Sequence, residues 1–229
     1  MTLTPHFATH GIAIIEYALV EADLTRMASA FGVDGVTAGT RQDDISGDLR
    51  EWLAAHPALI ELSTRFAGAE ARLVRCLAFD KSPAANWFVP WHQDRSIAVA
   101  ARAEAEGYDN WTIKDGTFQV EPPVPVLEGM VTLRIHLDDC DEDSGPLEAL
   151  LGSHTQGRLD RAAIASLVES GQAMLCLCAR GDILAMRPLT VHRSQKARVP
   201  RRRRVLQLEY ATTTLASGLS WALPTLGHG

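Results

Sequence analysis

The spacing of apolar positions changes character near residue 70. Before it, apolar residues recur at helical intervals. "EADLTRMASAFG" (21–32) puts Leu24, Met27, Ala28 and Phe31 on one face and ends on Gly32. "SGDLREWLAAHPALIELSTRFAG" (46–68) repeats that pattern, with Pro57 dividing two helices rather than sitting inside one. The first seventy residues therefore read as helical. From Arg72 the texture is that of strands. "ARLVRCLAF" (71–79) is a strand followed by a loop, "DKSPAANWFVP"; "RSIAVAA" is a second strand; "GTFQVEPPVPVLEG" is a strand followed by a proline-rich loop. "MVTLRIHLDD" alternates strictly, with Val131, Leu133, Ile135 and Leu137 on one face and Thr132, Arg134 and His136 on the other. "EDSGPLEAL" turns into another strand and "LDRAAIASLVES" is a short helix. "AMLCLCARGDILAMRPLTVHRS" holds two strands joined at Arg180-Gly181, and "RRVLQLEYATT" closes the set. Many short strands between turn signals predict an antiparallel sandwich or barrel. The expected organisation is one domain over 1–229: a mainly helical part (1–70), a β core (71–212) and a tail (213–229).

Composition supports this picture. With 229 residues, 46% hydrophobic and 22% charged, the chain is long enough to bury a substantial core. A net charge of -6 argues against general nucleic-acid affinity, and the one basic run, Arg201 to Arg204, leads straight into an apolar strand. No stretch approaches 18 uninterrupted apolar residues, so no membrane span is expected. The N-terminus lacks the basic segment and apolar core of a signal peptide. Cys76, Cys140, Cys176 and Cys178 show no CxxC spacing and read as reduced, buried thiols. The expectation is a soluble, cytoplasmic protein.

The candidate chemistry begins in "PWHQDRSIAV" (90–99). Residues i and i+2 of a strand share a face, so His92 and Asp94 project together. An imidazole and a carboxylate are two-thirds of a two-His-one-carboxylate facial triad. Alone, such a pair is weak evidence and reads first as an ordinary strand rim. Of the eight histidines, His6, His10 and His228 lie near the termini, His56 precedes Pro57, and His154 sits in a loop. His136 is on the polar face of its strand and could line a cavity. His192 ends an apolar strand late in the chain, where a jelly roll brings late and early strands together, and is the best third ligand. Eleven residues on, Arg203 starts the last strand. Its planar fork suits a bidentate carboxylate, although a solvated strand-edge arginine fits the same position.

The combination of HxD, a distal His and this Arg resembles the Fe(II)/2-oxoglutarate dioxygenases, specifically the phytanoyl-CoA dioxygenase family. "FDKSPAANWFVPWHQD", "LRIHLDDCDEDSGPLEALLGSHTQG" and "HRSQKARVPRRRRVLQLEY" carry the likeness over residues 71 to 212. It implies a mainly β fold with flanking helices around a double-stranded β-helix (jelly-roll, cupin-like) core. It also implies Fe(II) held by His92, Asp94 and His192, with 2-oxoglutarate and O2 as cosubstrates. Arg203 would pair the distal carboxylate of 2-oxoglutarate, with Ser194 adding a hydroxyl donor and Gln93 beside the cosubstrate. Leu77 and Arg134 match cosubstrate-pocket positions but with altered side chains, and Lys81 matches a loop lysine near the mouth. Leu151 stands where the family usually has proline. Trp87 and Trp91 flank the metal-bearing loop and are candidates to face substrate.

The implied activity is hydroxylation of a small-molecule metabolite with release of succinate and CO2. Asp94 supports that outcome, since related halogenases leave a gap at this ligand. Residues 100–125, the N-terminal helices and the tail are expected to cover the mouth. Apart from Arg201, Arg202 and Arg204, no basic cluster near the mouth suits an acyl-CoA. Two other readings use the same residues: a zinc hydrolase or cupin-like isomerase, and a non-catalytic jelly-roll binding protein. Substrate and oligomeric state are not encoded legibly.

Overall fold

A computed structural model describes residues 3–31, 45–216 and 218–223. Gly32, His228 and the end of the tail lie outside the described residues. Twelve strands form three antiparallel sheets among them. The major sheet has the order β1 (Ile12–Ile15), β10 (Ile183–Met186), β7 (Met130–His136), β12 (Arg203–Ala211), β2 (Arg72–Lys81). Facing it is a minor sheet: β3 (Val89–His92), β11 (His192–Ser194), β8 (Leu147–Leu150), β9 (Ala173–Cys176). A third sheet, β4 (Ile97–Val99), β6 (Thr117–Glu121) and β5 (Asp109–Lys114), stands beside them. This is the jelly-roll core with flanking helices that the sequence predicts.

The alternation in β7 sorts the layers. Val131, Leu133 and Ile135 are fully buried on the outer face of the major sheet. There they join Leu24 and Met27 of α2 (Glu21–Met27), Leu49 and Leu53 of α3 (Gly47–Ala54), and Leu59 and Phe66 of α4 (Pro57–Ala67). Pro57 opens α4, where its missing N–H costs nothing. Ser46 caps α3 by accepting from the Leu49 amide at 3.4 Å. Each buried Leu in this layer contributes roughly 1.5–3 kcal/mol. The helices thus cover the back of the sheet, and none of their residues lines the central cavity. That corrects the expectation that they cover the mouth.

Several elements depart from the sequence reading. Ile12–Ile15 lies in the region read as helical, yet it is the edge strand β1. A four-residue apolar run fits either period, and pairing with β10 decides it. Val89–His92, read as the end of a loop, is β3. Asp109–Lys114, which has little apolar content, is held as β5 by its ladder with β6. In the proline-rich stretch, Val124–Glu128 is a short helix, α5, started by its prolines rather than prevented by them. The segment 173–194 holds three strands rather than two. The predicted helix near 159–170 is α6 (Arg161–Ser170), capped by Asp160 on the Ala163 amide at 2.8 Å.

The third sheet, α5 and the start of the tail share one apolar cluster that includes Ile97, Val120, Leu127, Met130 and Leu215. Trp221 bridges to Val99. This cluster closes one end of the jelly roll and leaves a cavity of about 430 Å³ between the two main sheets.

Candidate metal and cosubstrate site

In the minor sheet, β3 and β11 run antiparallel with His92 directly opposite His192. Their rings stand 4.2 Å apart. Asp94 follows β3 and is pinned there by its amide, which donates to Pro188 O at 2.9 Å. The result brings together the three residues singled out from sequence. Asp94 Oδ1 lies 3.7 Å from His92 Nε2 and Oδ2 lies 3.8 Å from His192 Nε2. One donor atom from each residue fits within a 4.8 Å span.

The orientation of both rings is set by the backbone. His92 Nδ1 is 2.8 Å from Pro90 O, and His192 Nδ1 is 2.8 Å from Thr190 O. Each Nδ1–H donates to the carbonyl two residues upstream, which turns each Nε2 toward Asp94. This is the outer-shell arrangement that orients metal-ligating histidines. Burial, opposed by the Asp94 charge, lowers the His192 pKa to about 4. Burial pushes the Asp94 carboxyl up, but the His192, His92, Arg134 and Arg75 charges together outweigh it and hold it below the usual range. Two imidazoles and a carboxylate held this close are a donor set that suits a divalent metal. His192 is buried while His92 and Asp94 are each about a third exposed, so the set opens to the cavity on one side.

Cations line the facing wall. Arg203 is opposite Lys81 in the β12–β2 ladder, and both are buried. Lys81 Nζ donates to Ser194 Oγ at 2.9 Å and to Gln195 O at 2.8 Å, and it lies over the Trp87 ring. Arg203 Nη1 donates to Cys140 Sγ at 3.3 Å, and its Nε is buried without a partner. Arg134, between Arg203 and the metal donors, gives Nη1 to Gln207 Oε1 and packs over Phe79. Among the described residues no carboxylate pairs with Lys81, Arg134 or Arg203. Burial and the Arg203 charge lower Lys81 to about 7, and burial and Arg203 lower Arg134 to about 10. Buried cations without counter-ions are costly, and an anion entering here would relieve them. Gly145 makes the close packing possible. Its φ is +64°, a Cβ would meet Gln195 O at 2.5 Å, and its carbonyl accepts from Ser194 Oγ at 3.0 Å.

The other candidates fall into place unevenly. Leu77, Arg134 and Trp87 line the cavity. Lys81 was placed near the mouth, but it is 3% exposed and sits at the Arg203 end. The Gln93 amide is spent on the backbone: Nε2 donates to Gly157 O and Leu189 O, and Oε1 accepts from Leu159 N. No donor remains for a cosubstrate, so Gln93 ties the metal loop to its neighbours. The Ser194 proton goes to Gly145 O, which makes Ser194 an acceptor for Lys81 in this arrangement. Trp91 does not line the cavity; the Arg193 guanidinium stacks on its ring at 4.7 Å. His136 is buried with both ring nitrogens unpartnered, and burial with the Arg134 charge lowers it to about 3. Arg201, Arg202 and Arg204 pair with Asp141, Asp80 and Asp138, so the basic run is neutralised locally. Sequence reasoning passed over Arg75, Phe79, Gln207 and Glu209, which also line the cavity. Their signal was the two-residue period itself: 75, 77, 79 and 81 share one face of β2, and 203, 207 and 209 one face of β12.

The profile of the phytanoyl-CoA dioxygenase (PhyH) family matches residues 7–205. The chain belongs to the phytanoyl-CoA dioxygenase family. Solved structures of similar fold include the non-heme alpha ketoglutarate dependent carbocyclase SnoK from nogalamycin biosynthesis. It is 16% identical, with a TM-score of 0.66 over 91% of this chain and 82% of that one. HygX from Streptomyces hygroscopicus, with nickel and 2-oxoglutarate bound, is 18% identical, with a TM-score of 0.66 over 94% and 88%. The epimerase SnoN, in complex with Fe3+, alpha ketoglutarate and nogalamycin RO, is 16% identical, with a TM-score of 0.66 over 99% and 90%. At these identities they share the fold of this phytanoyl-CoA dioxygenase family member. No curated protein matches the chain significantly. Among the described residues no helix is long and apolar enough to cross a membrane.

Proposed function

We propose that this family member is an Fe(II)/2-oxoglutarate-dependent oxygenase that hydroxylates a small molecule. The observation that carries the reading is the pairing of two sites across one cavity. His92, Asp94 and His192 offer a metal-binding donor set. Buried Arg203 and Lys81 on the opposite wall lack a carboxylate partner. The donors fit Fe(II), and the cations fit the distal carboxylate of 2-oxoglutarate. Bound there with O2, the metal and cosubstrate supply the oxidation, with succinate and CO2 as co-products.

The chain itself contributes orientation and exclusion of water. Pro90 O and Thr190 O fix the imidazole tautomers. Arg203 and Lys81 set the direction in which the cosubstrate lies, and Phe79 and Leu77 flank it with apolar surface. A carboxylate at Asp94 favours hydroxylation over halide transfer. SnoK is a carbocyclase and SnoN an epimerase, so the product needs its own measurement. HygX and SnoN, with hygromycin B and nogalamycin RO bound, show small molecules held by this fold and support a small-molecule substrate.

The test is anaerobic titration of the metal-free protein with Fe(II) and then 2-oxoglutarate, followed by aerobic assay of succinate. A visible charge-transfer band on adding 2-oxoglutarate, and succinate after O2, support the reading. Tight Zn(II) binding with no response to 2-oxoglutarate would replace it with a hydrolase or isomerase. No metal binding would mark a binding protein. Labelled O2 appearing in an isolated product separates hydroxylation from the other oxidative outcomes.

A further inference from the structure

The wall opposite the metal donors has a second charged end. Along β12, Arg203 pairs with Lys81, Gln207 with Leu77 and Arg134, and Glu209 with Arg75 and Thr132. Six residues of extended chain separate Arg203 from Glu209, about 20 Å. That exceeds the reach of one 2-oxoglutarate molecule anchored at Arg203. Arg75 and Glu209 therefore line a part of the cavity beyond the cosubstrate.

These two residues are a buried ion pair. Arg75 Nη1 lies 4.0 Å from Glu209 Oε1, and their side chains are 9% and 10% exposed. Glu209 Oε1 also accepts from Gln207 Nε2 at 3.0 Å, and Gln207 Oε1 accepts from Arg134. Arg75 is close enough to the metal donors for its charge to be felt at Asp94. Thr132, Met130 and Leu127 complete this end.

A charge pair facing a cavity constrains what can occupy it. A neutral or aromatic molecule would cover the pair while adding a charge-assisted contact to neither side chain. A simple anion on Arg75 would bring a second negative charge beside Glu209, which is costly at this depth. A molecule carrying adjacent negative and positive groups lets each wall charge pair with its opposite, with no change in the net charge of the pocket. We propose that the substrate is a small zwitterion, with its carboxylate on Arg75 and its ammonium on Glu209. This rests on the oxygenase reading above and adds the substrate class to it.

The probes are free L-amino acids, each paired with its C-terminal carboxamide and its N-acetyl derivative, alongside neutral polyols and aromatic alcohols. Binding is measured by calorimetry on the full chain loaded with Ni(II) and 2-oxoglutarate. Turnover is measured with Fe(II) as succinate formed above the probe-free rate. At least one free amino acid is expected to bind and stimulate, with its carboxamide and N-acetyl forms weaker by about 30-fold. Arg75→Gln should erase the preference for acid over carboxamide, and Glu209→Gln the preference for amine over N-acetyl. Arg75→Lys should restore part of the first. A purely structural ion pair would change stability without altering these ratios, and melting curves of each variant check folding. If Ni(II) and 2-oxoglutarate bind but no zwitterion does, or if Arg75→Gln keeps the preference, the zwitterion assignment falls alone. If neither 2-oxoglutarate binding nor succinate is seen, the oxygenase reading falls and takes this one with it.

Discussion

The two main sheets divide the work of the cavity differently. The minor sheet contributes few groups, all fixed by backbone: two histidines on facing strands, each held by a carbonyl, with Asp94 tethered to Pro188 O. The major sheet contributes many charged side chains, held chiefly by other side chains: Lys81 by Ser194 across the cavity, Arg134 by Gln207, Gln207 by Glu209. A site built on backbone tolerates no substitution of its donors. A site built on side chains can be retuned one residue at a time. On the proposed reading, metal chemistry belongs to the first sheet and molecular selection to the second.

The sharpest way to break the comparison is at the minor sheet. His192→Ala or Asp94→Ala should abolish 2-oxoglutarate-dependent succinate formation and weaken Fe(II) binding by 100-fold or more, on the order expected for losing one of three ligands. Near-normal turnover in either variant would refute the metal assignment. At the major sheet, Arg203→Met should keep metal binding and raise the Kd for 2-oxoglutarate by about 100-fold, as loss of a buried charge-assisted contact does. A 2-oxo acid without the distal carboxylate should bind both proteins alike.

A smaller, graded effect is expected from pH. Lys81 is lowered to about 7 by burial and Arg203, so in the free protein it loses its proton as pH rises through that value. An anion beside it favours the charged form. Cosubstrate binding above pH 7 should therefore take up a proton, and affinity should fall between pH 7 and pH 9. Calorimetry in buffers of different ionisation enthalpy reads the uptake, and Lys81→Met should flatten the profile. Smallest of all, Ser153→Ala should cost about 1–2 kcal/mol in denaturant unfolding. Its buried hydroxyl accepts from the Val191 amide at 2.8 Å, next to His192, and donates to Leu150 O at 2.7 Å.

Legibility in the sequence followed the same divide. His92, Asp94 and His192 could be found because a backbone-held site leaves a spacing signature: an i, i+2 pair and a histidine closing a late strand. The β7 alternation likewise showed which face meets the helices. The side-chain network was harder to read. Gln93 looked like a ligand neighbour because it sits between two of them, but its amide is consumed by three backbone groups that only the folded chain brings near. Lys81 looked like a mouth residue because it ends a strand, yet β12 pairs with it and buries it. Arg75 and Glu209 are 134 positions apart, and no local pattern joins them. β1 and β3 were missed because strands of four residues carry too little period to outweigh their surroundings.

His92 and His192 share one rung of a ladder although they are 100 positions apart in the chain. No shorter fragment contains both, and the chain that joins them holds seven strands, β4 to β10. During synthesis the metal centre is therefore among the last features that can exist, long after the helical layer has left the ribosome. A nascent chain that has not yet reached His192 lacks one of the three donors. Loading falls to the finished fold, at whatever metal concentrations the surrounding solution then offers.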